Sequence, residues 1–512
     1  FSRKKIMKIN NNAIILSFIA GFLSLSQEIL WIRLVSFAHQ SAPQAFAFVL
    51  GLYLLGISLG AWAGRLICQD KEKNLFYVSG LIFISAMTFD SIAPIIFSFS
   101  FNSAFGLPIS MLLLIGSAAI RGTIFPIVHH IGSQNKVRIG ASVSNIYFSN
   151  VIGSTLGPII TGFFLINIVS TQNSFFFINF LTGIAGIYCL VLADRSIKFY
   201  VPLCVVVTAF FIIIPDLLIG RISIIRDDAT SVSANYTNEN RHGIIHTYPS
   251  KKGDIVFGGN VYDGAVNIDL RHDINGINRA YIIPIIAPDI KDVLIIGLSS
   301  GSWARIISAM PNVRSIHIIE INPGYLDLIR LHPSIAPLLS DPRVHIHIDD
   351  GRRWLSKNRK NQFDFILMNT TWHWRSYSTN LVSVDFLRIA KNHLNTNGLI
   401  YFNTTDSNDI FYTATEVFPY AYRYKNFVLA GSYDMAPQLT YDHLIAQLAT
   451  LKWPETGVSL FNMNTADDRL LADIILSEPL LPLNAFIKTG DRPLELVTDQ
   501  NMLTEFKYGR GL

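Results

Sequence analysis

Apolar residues are spread unevenly along this chain. Within residues 1–222 they form seven stretches, Ala13–Trp31, Gln44–Ile67, Leu75–Phe97, Gly106–His129, Ser142–Val169, Ser174–Leu192 and Phe199–Ile219. Each is near the ~20 residues a helix needs to cross the hydrocarbon core of a bilayer. The pattern predicts a membrane α-helical bundle of about seven transmembrane helices. No small-residue cleavage site follows the first stretch and further spans come after it, so it reads as a retained helix rather than a signal peptide. After Ile225 the pattern changes. Short β-like runs ("GIIHTY", "DIVFGG", "GAVNIDL") separated by Gly, Asn and Asp predict a small antiparallel β domain over residues 223–285. In residues 286–512 the runs "DVLIIGL", "SIHIIE", "VHIHID", "FDFILMN" and "GLIYFN" alternate with helical stretches such as "SVDFLRIAKNHL". That alternation predicts a Rossmann-like α/β domain, a parallel sheet with helices on both faces.

Composition supports a membrane protein: of 512 residues, 50% are hydrophobic and only 15% charged. The net charge of +5 comes from bases flanking the apolar stretches and makes no case for nucleic acid. Cys68, Cys189 and Cys204 all lie in those stretches, and no metal-ligand spacing emerges. Basic residues fall at the start (Arg3, Lys4, Lys5, Lys8) and in alternate loops (Arg65, Lys71 and Lys73; Lys136 and Arg138; Arg195 and Lys198). The loops around Asn102 and Gln172 carry none, which places the N-terminus in the cytoplasm of a bacterial-type inner membrane crossed several times. Seven crossings would then put residues 286–512 on the outer side, where nucleotide cofactors are scarce, so count and function conflict. Glu28 lies inside an apolar stretch and needs a partner from another helix, for which Arg121 and Asp90 are candidates. The expected partners are the lipid bilayer, a small-molecule or membrane-linked acceptor, and a second membrane protein or copy of the chain.

Candidate chemistry gathers at the ends of the predicted parallel strands, where such sheets bind ligands. Gly297 and Gly301 bracket the turn "GLSSG", where a side chain would obstruct a ligand approaching the backbone. Glu320 ends the next strand, at the spacing of an acid that takes the hydroxyls of a ribose. Asp349 and Asp350 end the third, in reach of an adenine amino group; Asp-Asp-Gly is equally a good turn and helix cap. His317, His345 and His347 lie within strands and read as packed or paired.

"VLIIGLSSGS…IIEIN…DPRVHIHIDDGRRWL…FDFILMN" resembles the spermidine synthase family, whose domain has the fold of class I S-adenosylmethionine-dependent methyltransferases and follows a small β domain. "GNVYDGAVNI" is similar to the Asp-Gly turn of that β domain, here Asp263 and Gly264. "SQEILWIR", "GLYLLGISLGAWAGRL" and "RIGASVSNIYFSNVIGSTLGPIITGFFLI" resemble the transmembrane region of membrane-bound spermidine synthase-like proteins. "LVTDQNMLTEF" is similar to their closing Thr-Asp-Asp segment. The resemblance implies an adenosyl site at Gly297, Ser299, Gly301, Glu320, Asp349 and Asp350. It also exposes departures: Ser300 stands where the family has an acid, Asn369 replaces an Asp that serves the attacking amine, and Trp372 replaces a second acid. Asn and Ser cannot take a proton at neutral pH, which argues against ordinary putrescine chemistry.

In their place stands "NTTWHWRSYSTN", residues 369–380. Asn369, His373 and Arg375 are the candidate catalytic residues; histidine serves as a base near neutral pH, and arginine suits a carboxylate or phosphate. The alternative for this segment is structural, with the Trp rings at the membrane interface or on the β domain and Arg375 capping a loop. The expected function is a membrane-integrated transferase that uses S-adenosylmethionine or its decarboxylated form, without metal, on an amine or membrane-linked acceptor. The competing expectation is a catalytically degenerate transporter-like or assembly protein with a residual nucleotide pocket.

Overall fold

A computed structural model describes residues 3–133, 139–213, 216–223, 225–227, 230–369 and 371–511. Lys136, Arg138 and Thr370 lie outside the described residues, as do the side chains of Arg3, Lys4, Lys5 and Lys8. The chain divides into two compact units. One is Phe1–Ala234 with Glu239–Ile244; the other is Asn235–Asn238 with Ile245–Leu512.

The first unit is helical, apart from a hairpin of β1 (Ile225–Asp227) and β2 (Thr230–Val232) and the piece Glu239–Ile244. Among the described residues, six helical spans are long and apolar enough to cross a membrane: Ile9–Ala38, Pro43–Gln69, Leu75–Ser100, Gly106–Gly132, Gly140–Ile168 and Thr171–Leu192. The expected bundle of about seven helices is thus present, with six such spans among the described residues. The last apolar stretch forms the helix Tyr200–Ile213, 14 residues long. At 1.5 Å per residue that is about 21 Å, against a hydrocarbon core of ~30 Å.

Small residues bring these helices together. A Cβ on Gly60 would sit 2.1 Å from the Ala119 carbonyl oxygen, and one on Gly153 2.1 Å from that of Phe18. At the centre, Arg121 Nε donates to Asp90 Oδ2 at 2.6 Å, and its other nitrogens donate to Asn179 Oδ1, Thr182 Oγ1 and the Leu23 carbonyl. The two groups expected to serve Glu28 thus serve each other. Glu28 is half-buried and has no ion pair among the described residues, while Arg33 lies 3.7 Å from Glu239.

The remaining strands form two sheets. β3 (Tyr236–Asn240), β4 (Gly243–Tyr248), β5 (Ile255–Gly258) and β6 (Val261–Ala265) form a four-stranded sheet in that order, antiparallel through β4, β5 and β6. The larger sheet contains β7 (Asp292–Ile296), β8 (Ser315–Glu320), β9 (Val344–Ile348), β10 (Phe363–Met368), β11 (Leu394–Asn403), β12 (Tyr420–Tyr424) and β13 (Phe427–Gly431). Their order is β12-β13-β11-β10-β7-β8-β9, with β7 to β11 parallel and β13 antiparallel to both neighbours. The inner strands read as unbroken apolar runs because both faces are covered. Val293, Ile295, Ile318 and Leu367 enter one core, and Leu294, Ile296, Ile319 and Ile366 enter the other. The chain winds outward from β7 in both directions, so a crevice opens at the carboxyl ends of β7 and β10. The histidines of β8 and β9 are packed together. His317 Nδ1 is 3.2 Å from His347 Nε2, and their rings stack.

Candidate functional site

The turn after β7 is held by the chain's own packing. Gly297, Ser299 and Gly301 have φ of +87°, +50° and +78°. A Cβ on Gly297 would lie 2.8 Å from the Asn369 carbonyl oxygen, and one on Gly301 2.8 Å and 2.9 Å from methyl carbons of Ile329 and Ile335. These glycines are therefore required by their neighbours, before any ligand is considered. The serines fasten the turn to β6. Ser299 Oγ donates to the Asp263 carbonyl at 2.6 Å and Ser302 Oγ to that of Ala265 at 3.1 Å, with Ser300 Oγ 2.9 Å from Ser302 Oγ.

Glu320, at the end of β8, is 3% exposed. One carboxyl oxygen accepts from the Leu298 amide in the glycine turn and the other from the Asn322 amide, both at 2.7 Å. Burial pushes this carboxyl up to about 7, against the pull of those amides and with a further push from Asp263. The Ser299 amide acts on the same carboxylate, which with four lone-pair sites can still accept from a ligand hydroxyl. Asp350 caps the helix Gly351–Lys357, accepting from the Arg353 amide at 2.8 Å. Asp349 accepts from the Asp350 amide and pairs with the Arg353 guanidinium.

The second group of expected residues follows β10. The Asn369 amide donates to the Ile296 carbonyl at 3.1 Å, which ties the ends of β7 and β10 together. His373 donates its backbone N–H to Thr405 Oγ1 at 3.0 Å, and its Nδ1 lies 2.7 Å from the same hydroxyl. Burial holds this imidazole below its ordinary range, against the opposing pull of Thr405, Asp406 and Asp409. Arg375 donates to Thr371 Oγ1 at 2.6 Å and faces Asp263, whose carboxylate accepts from the Tyr325 hydroxyl at 2.5 Å. A recess of about 110 Å³ is lined by Tyr262, Asp263, Arg279, Asn369, Trp372 and Asp406, among others. Asn369 and Trp372 thus reach one cavity. His373 and Arg375 stand behind it, through Thr405 and Thr371, which do line it. The expected adenosyl residues do not line this recess.

Residues 283–440 match the model of the spermine/spermidine synthase domain. The α/β part of the chain is therefore spermidine synthase-like. Similar proteins include the polyamine aminopropyltransferases of Alkaliphilus oremlandii (strain OhILAs), 33% identical over 85 residues, and of Prochlorococcus marinus (strain MIT 9312), 33% identical over 112 residues. Those alignments cover 16% and 22% of this chain and 30% and 39% of the relatives. The chain therefore spans about a third of the length of the curated relatives it matches. Among solved structures, spermidine synthase in complex with the transition-state analogue AdoDATO is 16% identical, with 50% of this chain and 89% of that one covered at a TM-score of 0.40. Human methyltransferase-like protein 13 in complex with SAH is 19% identical, covering 35% and 93% at a TM-score of 0.28.

The spermidine synthase-like unit also uses residues the sequence did not single out. Glu505 is 1% exposed and accepts from the amides of Tyr377 and Thr379, bracing the segment that carries His373. Asp499 pairs with Arg352 and accepts from Ser383 at 2.6 Å. Thr405 and Asp406 follow β11 with φ of +46° and +68° and line the recess. Their signal was available, because "FNTTDS" ends an apolar strand as "IIEIN" does. Trp374 is buried against Trp372, with the Arg510 guanidinium 5.2 Å from its ring centre.

Proposed function

We propose that the chain is a membrane-integrated transferase that binds S-adenosylmethionine or its decarboxylated form and transfers a group from sulfur to an amine or membrane-linked acceptor. The observation that carries this reading is Glu320, a buried carboxylate at the end of the second parallel strand, amide-held under a glycine turn, within a spermidine synthase domain. Gly297, Ser299 and Gly301 would let the nucleoside approach the turn, Glu320 would take the ribose hydroxyls, and Asp349 and Asp350 would lie toward the adenine. When bound, the sulfonium supplies an activated leaving group. The acceptor's lone pair attacks the adjacent carbon, the carbon–sulfur bond breaks, and the thioether leaves. Positioning supplies most of such a rate gain. Asn369 would orient the acceptor, and His373 would receive its proton through the Thr405 hydroxyl. Arg375 holds Thr371 at the recess and balances Asp263.

Six crossings return a chain to the side on which it began. With the basic loops facing the cytoplasm of a bacterial-type inner membrane, the α/β unit would be cytoplasmic, where adenosyl donors are available. A second reading, a degenerate transporter-like or assembly protein, draws support from the neutral residues Ser300 and Asn369 at the family's acid positions. Calorimetry on the folded full-length protein separates the two. Binding of either sulfonium nucleoside supports the transferase, and binding of neither refutes it. Labelled donor incubated with native membranes would then show which molecule gains the label.

A further inference from the structure

We infer that the recess beside the glycine turn receives an anionic group, a carboxylate or a phosphate, on Arg279. The inference rests on the proposed adenosyl reading and specifies the chemistry of what lies next to the sulfur. Gly264 also lines the recess, and a Cβ there would lie 3.6 Å from Ser299 Oγ, so one wall of the cavity stands next to the glycine turn.

Arg279 is held in one geometry. Its Nε donates to the Gly276 carbonyl at 2.9 Å, Nη1 to Asn426 Oδ1 at 2.5 Å and Nη2 to the Asn275 carbonyl at 2.5 Å. Its guanidinium carbon lies 5.7 Å and 5.1 Å from the ring centres of Trp303 and Phe427. All three acceptors are neutral, and a guanidinium has five N–H groups, so one on each Nη remains. Asn426 in turn donates to Asn403 Oδ1, which also accepts from the Thr405 amide. The arginine is therefore oriented by a chain of amides rather than by a counter-ion.

The carboxylates nearby have cations of their own. Asp263 faces Arg375, Asp406 pairs with Arg423, and Asp273 lies 3.9 Å from Lys425 Nζ while acting on Arg279 only from beyond ion-pair distance. Among the described residues no carboxylate is within ion-pair distance of Arg279. A desolvated guanidinium with no carboxylate in direct contact is unfavourable, and an anion bound through two parallel N–H groups supplies that contact. A diamine here would set an ammonium against the guanidinium, a like-charge contact. The anion has two sources: the carboxylate that S-adenosylmethionine carries and its decarboxylated form lacks, or an acidic group on the acceptor.

Calorimetry on the full chain distinguishes them, using wild type, Arg279→Gln and Arg279→Lys, with methylthioadenosine as the reference that carries neither carboxylate nor amine. If the donor supplies the anion, S-adenosylmethionine binds about tenfold or more tightly than its decarboxylated form, as a charge-assisted hydrogen-bonded pair should. Arg279→Gln then abolishes the difference and Arg279→Lys keeps part of it. If the acceptor supplies it, the two sulfonium compounds bind alike, and the methylthioadenosine-bound protein takes acetate or inorganic phosphate in wild type but not in Arg279→Gln. Methylthioadenosine binding by every variant, with neither dependence, overturns the inference and leaves the adenosyl reading standing. Failure of methylthioadenosine to bind the folded wild type overturns both.

Discussion

The Glu320 carboxyl makes nucleoside binding a function of pH. Both its oxygens already accept amide hydrogen bonds, and a ribose hydroxyl would be a further donor. Only the carboxylate can accept from all of them, since a protonated acid turns one oxygen into a donor. With the group titrating at about 7 in the fold, roughly one molecule in eleven is ionised at pH 6 and ten in eleven at pH 8. Methylthioadenosine, which does not titrate in that interval, should therefore bind about tenfold more tightly at pH 8 than at pH 6. Stability of the unliganded protein runs the other way. The folded state holds a proton that the unfolded chain releases near 4.5, so stability falls as pH rises from there through 7, by about 3 kcal/mol in all. Glu320→Gln should flatten both profiles and weaken binding at pH 8 by about 2 kcal/mol, the worth of hydrogen bonds to a charged acceptor. Titration calorimetry at three pH values, paired with thermal unfolding of the same samples, measures both. A wild-type affinity that does not change between pH 6 and 8, or a Gln variant that binds as tightly as wild type, would refute the reasoning.

Other perturbations test the frame around the site. Gly301→Ala places an L residue at φ +78° and drives its methyl into Ile329 and Ile335; the conformational and packing terms sum to roughly 2–5 kcal/mol of destabilisation, measurable by chemical unfolding followed through Trp303 fluorescence. In the helical unit, Arg121→Met leaves Asp90 buried and alone, a loss of about 3–5 kcal/mol, and Asp90→Asn added to it should recover much of that loss. Half-lives of the three proteins in detergent at fixed temperature would rank them, and a double variant weaker than the single one would contradict the pairing. A reporter fused after Leu512 should fall on the same side of the membrane as one fused before Phe1. Opposite sides would restore an odd number of crossings.

The architecture was legible where one residue pattern has one physical solution. The apolar runs of β7, β10 and β11 are too short to be buried helices and too continuous to be one-sided strands, so they read as a parallel sheet. The last apolar stretch is the least legible of the helical ones, since its described helix, Tyr200–Ile213, is shorter than the run of apolar residues. Partner choice was not legible. Glu28, Asp90 and Arg121 are all plausible partners in sequence, and only the rotation of the helices about their axes assigns Arg121 to Asp90. Asp350 shows the same limit on a smaller scale, since a strand-end acid and a helix cap share one sequence signature. Arg279 lies in a polar, irregular stretch whose spacing announces nothing, and its meaning emerges only when four asparagines and two aromatic rings surround it.

The serine hydroxyls that join the glycine turn to β6 have a dynamic consequence. Ser299 and Ser302 anchor to carbonyls two residues apart on one strand, and the Asn267 amide returns a bond to Ser302. Exchange of the amides at 264–267 and at 298–302 with solvent deuterium should then occur in a single opening event with one protection factor, rather than as a loose loop beside a stable hairpin. Ser300, whose Oγ lies 2.9 Å from Ser302 Oγ, should share that protection as part of the same strut.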